Sequence, residues 1–292
     1  MLVLSAVSVT GCATISIPDK KHLVSNHRDN NYQSHKLKTG HDYIFEKKCE
    51  IKAPAESFED ANHSSLSPEG FSLLNWNVLK GSREGWLSDF RRFSINSDIV
   101  ALQEAQLHED FHTGLKHSEM HWDLTTAFHY DERETGVLTG SNVKPGALCS
   151  FRSTEPLIRI PKTALVTEYR IKGTDKKLMV ANIHMINFSL RTNEYIKQIR
   201  RLHDLLQHHE GPLIVSGDFN TWSDKRMRII NRIMAELGLS AVEFDNDHRL
   251  TVFGNAVDHV YYRGLETVHA STESVDSSDH NPMLIKFRMA VR

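Results

Sequence analysis

The chain has 292 residues, enough for one large domain with a substantial core, and its 39% hydrophobic and 25% charged residues are ordinary globular values. No apolar run approaches the roughly 18 residues of a membrane-spanning helix, which excludes a helical channel or transporter. A formal net charge of -2 gives no general attraction for polyanions, so any contact with nucleic acid needs a local basic patch.

Residues 1–17 open with a short apolar run that closes on Val9-Thr10-Gly11-Cys12. This resembles a bacterial lipobox, although no Lys or Arg precedes the run. The expectation is a signal and membrane attachment through lipidated Cys12, which places the protein in a bacterial cell envelope, lipid-anchored or periplasmic. Without that signal the expectation reverts to the cytoplasm. Outside the cytoplasm Cys49 and Cys149 are able to pair. Residues 18–69 are polar and patchy, which predicts a tether, with the stretch from Asp42 to Ile51 a candidate edge strand.

From residue 70 to 292 the pattern becomes one of strands and helices. Strand-length apolar runs cover Phe71 to Val78, Asp98 to Glu104, Ala164 to Ile171, Leu178 to Met185, Leu213 to Asp218, Val257 to Tyr262 and Met283 to Arg288. A helix is predicted around Gly85 to Asn96. Two further helices follow from apolar stripes at Ile196/Ile199/Leu202/Leu205/Leu206 and Met227/Ile230/Ile233/Met234/Leu237. Many short strands with few helices predict an α/β fold in which two packed sheets are flanked by helices.

The strands end on chemistry. Asn77, Glu104, His184 and Asp218 with Asn220 close four of them, and Asp279 with His280 stands just before the last. If these ends share one rim, Glu104 and Asp279 supply anionic oxygens and Asn77 a neutral one, a donor set suited to Mg²⁺ or Mn²⁺. No CxxC or HExxH motif suggests zinc. A hard cation with open positions suits phosphoester hydrolysis. His280 is the candidate base. Asp258 is its candidate partner, because adjacent Asp279 projects the opposite way on an extended segment. Asp218 would align water, and Asn220 and His184 would donate to the transition state.

The strings "NWNV", "LQEA", "NIHMINFS", "GDFN", "VDHVYYRG" and "SDHNP", in this order, resemble the endonuclease/exonuclease/phosphatase superfamily, to which DNase I belongs. "PKTALVTEY", "NIHMINFSL" and "DHVYYRGL" further resemble its YafD-like branch. The resemblance implies a DNase I-like, four-layered α/β sandwich of two mixed sheets flanked by helices, with a metal at one rim. It places Asn77, Glu104 and Asp279 at the metal, His184 and Asn220 at the phosphate and Asp218 at the water. Asp258 and His280 become the carboxylate–imidazole pair.

Departures narrow the branch. Leu79 stands where abasic-site enzymes carry an acid, and Ala105-Gln106 follows Glu104 without their lysine. The tryptophan-rich "GDLN" of inositol-polyphosphate phosphatases is absent. Lys144 or Arg152 is the candidate for the family's substrate arginine. The expected activity is a metal-dependent nuclease, with nucleic acid as substrate. A basic stretch, Lys225, Arg226, Arg228 and Arg232, is the candidate to track its backbone. The alternatives are a phospholipid-headgroup phosphodiesterase, a phosphatase and a non-catalytic binding module. Nothing calls for an obligate protein partner.

Overall fold

The computed structural model describes residues 14–18, 22–26, 33–36, 51–52, 65–189 and 191–290. Two large sheets pack face to face. The first has the strand order Leu265–Thr272, Met283–Met289, Phe71–Asn77, Ile99–Gln106, Arg133–Ser141, His121–Tyr130, His22–Asn26, Gln33–Lys36, and Ile15–Ser16 pairs with His121–Tyr130. The second runs Ser240–Ala241, Asp258–Arg263, Leu213–Asp218, Lys177–His184, Pro161–Arg170, Ala147–Thr154, Ile51–Lys52. Both are mixed. Phe71–Asn77 lies parallel to Ile99–Gln106, and Lys177–His184 parallel to Leu213–Asp218, amid antiparallel neighbours.

Between the sheets, Leu73, Ile99 and Ala101 of the first meet Val180, Ile214 and Val260 of the second. Helices α1 (Trp86–Ser94) and α2 (Glu109–Ser118) cover the outer face of the first sheet, packing Trp86, Phe90 and Phe111 on Trp76 and Leu102. Helices α3 (Asn193–Leu206) and α4 (Asp224–Glu236) cover the second, with Tyr195, Ile199, Leu202 and Leu206 spaced to form one apolar stripe. The result is the four-layered α/β sandwich. Because sheet lies on one side and helix on the other, Leu213–Asp218 is buried along its whole length, which is why it opens on a continuous apolar run. A buried amide network ties the layers together. Gln103 Nε2 donates to Asn75 Oδ1 at 3.0 Å in its own sheet and to Asn182 Oδ1 at 2.8 Å in the other. Asn182 Nδ2 in turn donates to the Leu138 carbonyl at 2.8 Å.

Part of the stretch expected to be a tether is sheet. His22–Asn26 pairs with His121–Tyr130, Leu23 and Val24 are buried, and Ser25 Oγ donates to Asp123. Its partner strand lies about a hundred residues away, so local polarity hid the pairing. Ile51–Lys52 pairs with Leu148 and Ala147 at the edge of the second sheet, while 42–50 lies outside the described residues. The lipidation expected at Cys12 and the pairing expected of Cys49 fall outside them too. Cys149 is disulfide-bonded. Among the described residues no helix is long and apolar enough to cross a membrane.

Candidate active site

Three neighbouring strands of the second sheet set His184, Asp218 and Asp258 in a row: Asp218 is the register partner of His184 on one side and of Asp258 on the other. Residues directly opposite across a ladder project to the same face, so the three side chains meet. The first sheet closes on them through Asn77, whose Nδ2 donates to Asp218 Oδ2 at 3.1 Å. The loop before the last strand is pinned to the same place. Trp76 Nε1 donates to the His280 carbonyl at 2.9 Å and Ser278 Oγ to the Asn77 carbonyl at 2.7 Å.

Gly217 makes this row possible. Its φ of 149° and its contact with the neighbouring strand leave no room for a side chain: a Cβ there would collide with the Ile183 carbonyl oxygen. Gly217→Ala is therefore expected to push the His184 and Asp218 strands apart, abolishing activity and lowering Tm by several degrees. An active variant that melts with wild type would contradict this packing.

Glu104 reaches the rim by a different device. The register of its strand slips between Leu102 and Ala105, and Glu104 takes a left-handed φ of 53°. This is a β-bulge, which turns a side chain out of the pleat. Two lysines meet Glu104 there. Lys80 Nζ lies 2.7 Å from Oε2, and Lys162 Nζ lies 3.9 Å from Oε1 and 2.9 Å from His184 Nε2. Sequence reasoning missed both. Lys162 stands at the head of "KTALVTEY", quoted above only for its family likeness.

The electrostatics separate the roles. Burial disfavours charge on Glu104, yet Lys80 and Lys162 hold its carboxyl well below the usual range. Burial and then Lys162 push His184 down to about 4. Lysine has only protons to give, so His184 Nε2 accepts from it, and the ring is neutral 3.3 Å from Asp218 Oδ2. For His280, burial works against charge, but Asp258, 2.7 Å from Nδ1, outweighs it with help from Asp218, and the imidazole is raised to about 10. Asp218 is raised by burial, with His184 opposing and Asp258 reinforcing the shift. A carboxylate pushed up and an imidazolium held charged form a proton acceptor and a proton donor side by side. His280, expected as a base, has its pKa raised, which favours the protonated ring.

The other expected residues divide. Asn220, at φ 50°, gives its backbone N–H to Asp218 Oδ1 at 2.9 Å and its Nδ2 to the Met185 carbonyl at 3.0 Å, so one of its two side-chain N–H donors holds a loop. Asp279 is exposed beside buried His280, outside the group formed by Asp218, Asp258 and His280. Lys144 does not reach the rim: it follows Ser141, which pairs with Ile99 at the opposite end of the Glu104 strand. Arg152 is spent on the carbonyls of Pro18 and Thr126, at 2.9 and 2.8 Å.

The basic stretch on α4 breaks up as well. Arg232 pairs with Glu236, and Arg226 is 1% exposed. Arg226 donates to the carbonyls of Ile186, Asn187 and Asn220 and to Ser189 Oγ, at 2.7 to 3.0 Å, between the rings of Tyr195 and Trp222. It clamps together the loops that follow His184 and Asp218. Arg226→Met leaves these acceptors unpaired and should cost on the order of 3 kcal/mol in urea unfolding. A loss below about 1 kcal/mol would show that the clamp is dispensable.

The donor set fits a hard divalent cation. Glu104, Asp218, Asp258 and the Asn77 carboxamide offer oxygens, and Asp258 Oδ1 is buried with no hydrogen-bond partner among the described residues. Glu104 with Asn77, or the Asp218–Asp258 pair, would hold the ion, which when bound polarises a phosphoryl oxygen and offsets developing charge.

A layered α/β sandwich with carboxylates, amide and imidazole gathered at one rim defines a phosphoester hydrolase. The chain belongs to the Endonuclease/Exonuclease/phosphatase family, whose profile matches residues 74–280. Solved structures agree on the fold. A family protein from Leptotrichia buccalis C-1013-b has a TM-score of 0.59 at 16% identity, covering 75% of this chain and 100% of that one. ANGEL2, a 2',3'-cyclic phosphatase solved with adenosine-2',3'-vanadate, gives 0.57 at 16% over 76% and 96%. The human Nocturnin catalytic domain with bound sulfate gives 0.55 at 16% over 77% and 96%.

Proposed function

We propose that the protein is a nuclease that hydrolyses phosphodiester bonds in DNA or RNA with a divalent metal. The observation that carries this reading is the Asp258–His280 pair, 2.7 Å apart and grouped with Asp218. Asp218, its pKa raised and its two oxygens oriented by Asn77 and the Asn220 N–H, takes a proton from the attacking water. As the new P–O bond forms and the old one breaks, His280 gives its Nε2 proton to the departing oxygen. Asp258 holds Nδ1 and stabilises the imidazolium. Lys162 and Lys80 supply cationic donors for the non-bridging oxygens. A nucleotide-type substrate is supported by the adenosine-based ligand of the ANGEL2 neighbour.

The test offers purified protein with Mg²⁺ or Mn²⁺ a supercoiled plasmid, a single-stranded oligonucleotide, RNA and sphingomyelin. Cleavage of at least one nucleic acid, abolished by EDTA, is expected. Turnover of sphingomyelin with every nucleic acid left intact would replace the reading with a headgroup phosphodiesterase.

A further inference from the structure

The rim beside Asn220 carries aromatic rings that the hydrolytic chemistry does not use. Trp222 stands two residues past Asn220. Its Nε1 donates to Asn187 Oδ1 at 3.0 Å, and the Arg226 guanidinium lies 4.4 Å from its ring centroid. Because Arg226 is itself bonded to both active-site loops, the indole is fixed relative to the reaction centre.

Phe253 lies at the tip of the hairpin formed by Thr251–Val252 and Asn255–Ala256, and its ring meets Trp222 edge-on with centroids 6.5 Å apart and planes at 73°. The hairpin is tied to the site: Thr221 Oγ1 donates to the Ala256 carbonyl at 2.6 Å, Asn255 Nδ2 donates to Asp224 Oδ1 at 3.1 Å, and Asp258 follows two residues after Ala256.

Phe253 is 71% exposed and has a left-handed φ of 51°, followed by Gly254 at 82°. A two-residue turn with both φ values positive favours Asn-Gly, and a bulky aromatic in its first position is disfavoured. Exposure and backbone both work against stability here, and both serve to present one ring at the mouth of the site. Phe188, 51% exposed, follows Asn187 on the facing loop.

We propose that Trp222 and Phe253 form a stacking platform for the nucleobase next to the scissile phosphate, so that the preferred substrate is single-stranded or unstacked nucleic acid. This rests on the nuclease reading. A base offers a flat π-face to such rings only when it is out of a duplex.

Trp76, Trp86 and Trp122 are buried, which makes part-exposed Trp222 the fluorescence reporter for a bound base. In the His280→Ala protein, a thymidine octamer should quench that fluorescence, and an abasic octamer with the same backbone should bind at least about tenfold more weakly. Phe253→Ala should weaken octamer binding by roughly 5- to 100-fold and abasic binding by less than about twofold. Phe253→Asn should lose the same binding at an unchanged or higher Tm, because Asn suits the turn. Equal binding of the two strands, or wild-type binding by Phe253→Asn, overturns the platform. So does Phe253-dependent quenching by phosphatidylglycerol vesicles with none by either strand, which gives the rings to a membrane. With His280 intact, cleavage of both strands at equal rates keeps the nuclease reading and removes the platform; cleavage of neither removes both.

Discussion

His280→Ala should lower kcat on a phosphodiester by about 10²- to 10⁴-fold, because the group it removes acts on the leaving oxygen. The pH dependence says more. A proton donor must be charged, so activity persists while His280 keeps its proton and falls as pH rises through about 10. Asp258→Asn removes the main group that holds this imidazolium, and the alkaline limb should move down toward about 6.5, the ordinary imidazole value. Stability carries the same sign. A folded pKa above the unfolded one contributes stability that is full below about 6.5 and lost as pH rises toward about 10. On the acid side, activity falls as Asp218 is protonated, earlier than for an ordinary carboxylate, because burial raises it. An alkaline limb that Asp258→Asn leaves in place would remove His280 as the donor.

Glu104→Gln should weaken Mn²⁺ binding by about 100-fold or more in calorimetry, since a hard cation loses an anionic ligand. Lys80→Met should act in the opposite direction. With its Nζ 2.7 Å from Glu104 Oε2, the lysine competes for the same oxygen, and its removal should tighten Mn²⁺ binding while slowing turnover. The two lysines hold Glu104 ionised, so the affinity should persist well into the acid range. Unchanged Mn²⁺ affinity in Glu104→Gln would move the metal to the Asp218–Asp258 pair.

Much of the site could be read in the sequence because strand alternation is a local signal. The run Leu213–Val215 is apolar and leads through Ser216 and Gly217 to Asp218, and alternation across "SDHNP" separates exposed Asp279 from buried His280. What could not be read depends on partners far along the chain. Nothing local marks a bulge that opposes Gln103 and Glu104 to a single residue of a strand more than thirty positions away. Lys162 looks like any strand-end lysine until the fold brings His184 to 2.9 Å. Arg226 sits among charged neighbours on α4, and only tertiary carbonyl acceptors make its burial favourable. The strand at His22–Asn26 is hidden in a polar segment for the same reason.

The most direct measurement compares hydrolysis of bis-(p-nitrophenyl) phosphate by wild type, Asp218→Asn, His280→Ala and the double variant at saturating Mn²⁺. One shared reaction centre predicts that each single change costs at least about 100-fold and that the second adds far less than the first. Full activity in either single variant, or costs that simply multiply, would contradict a centre built from both.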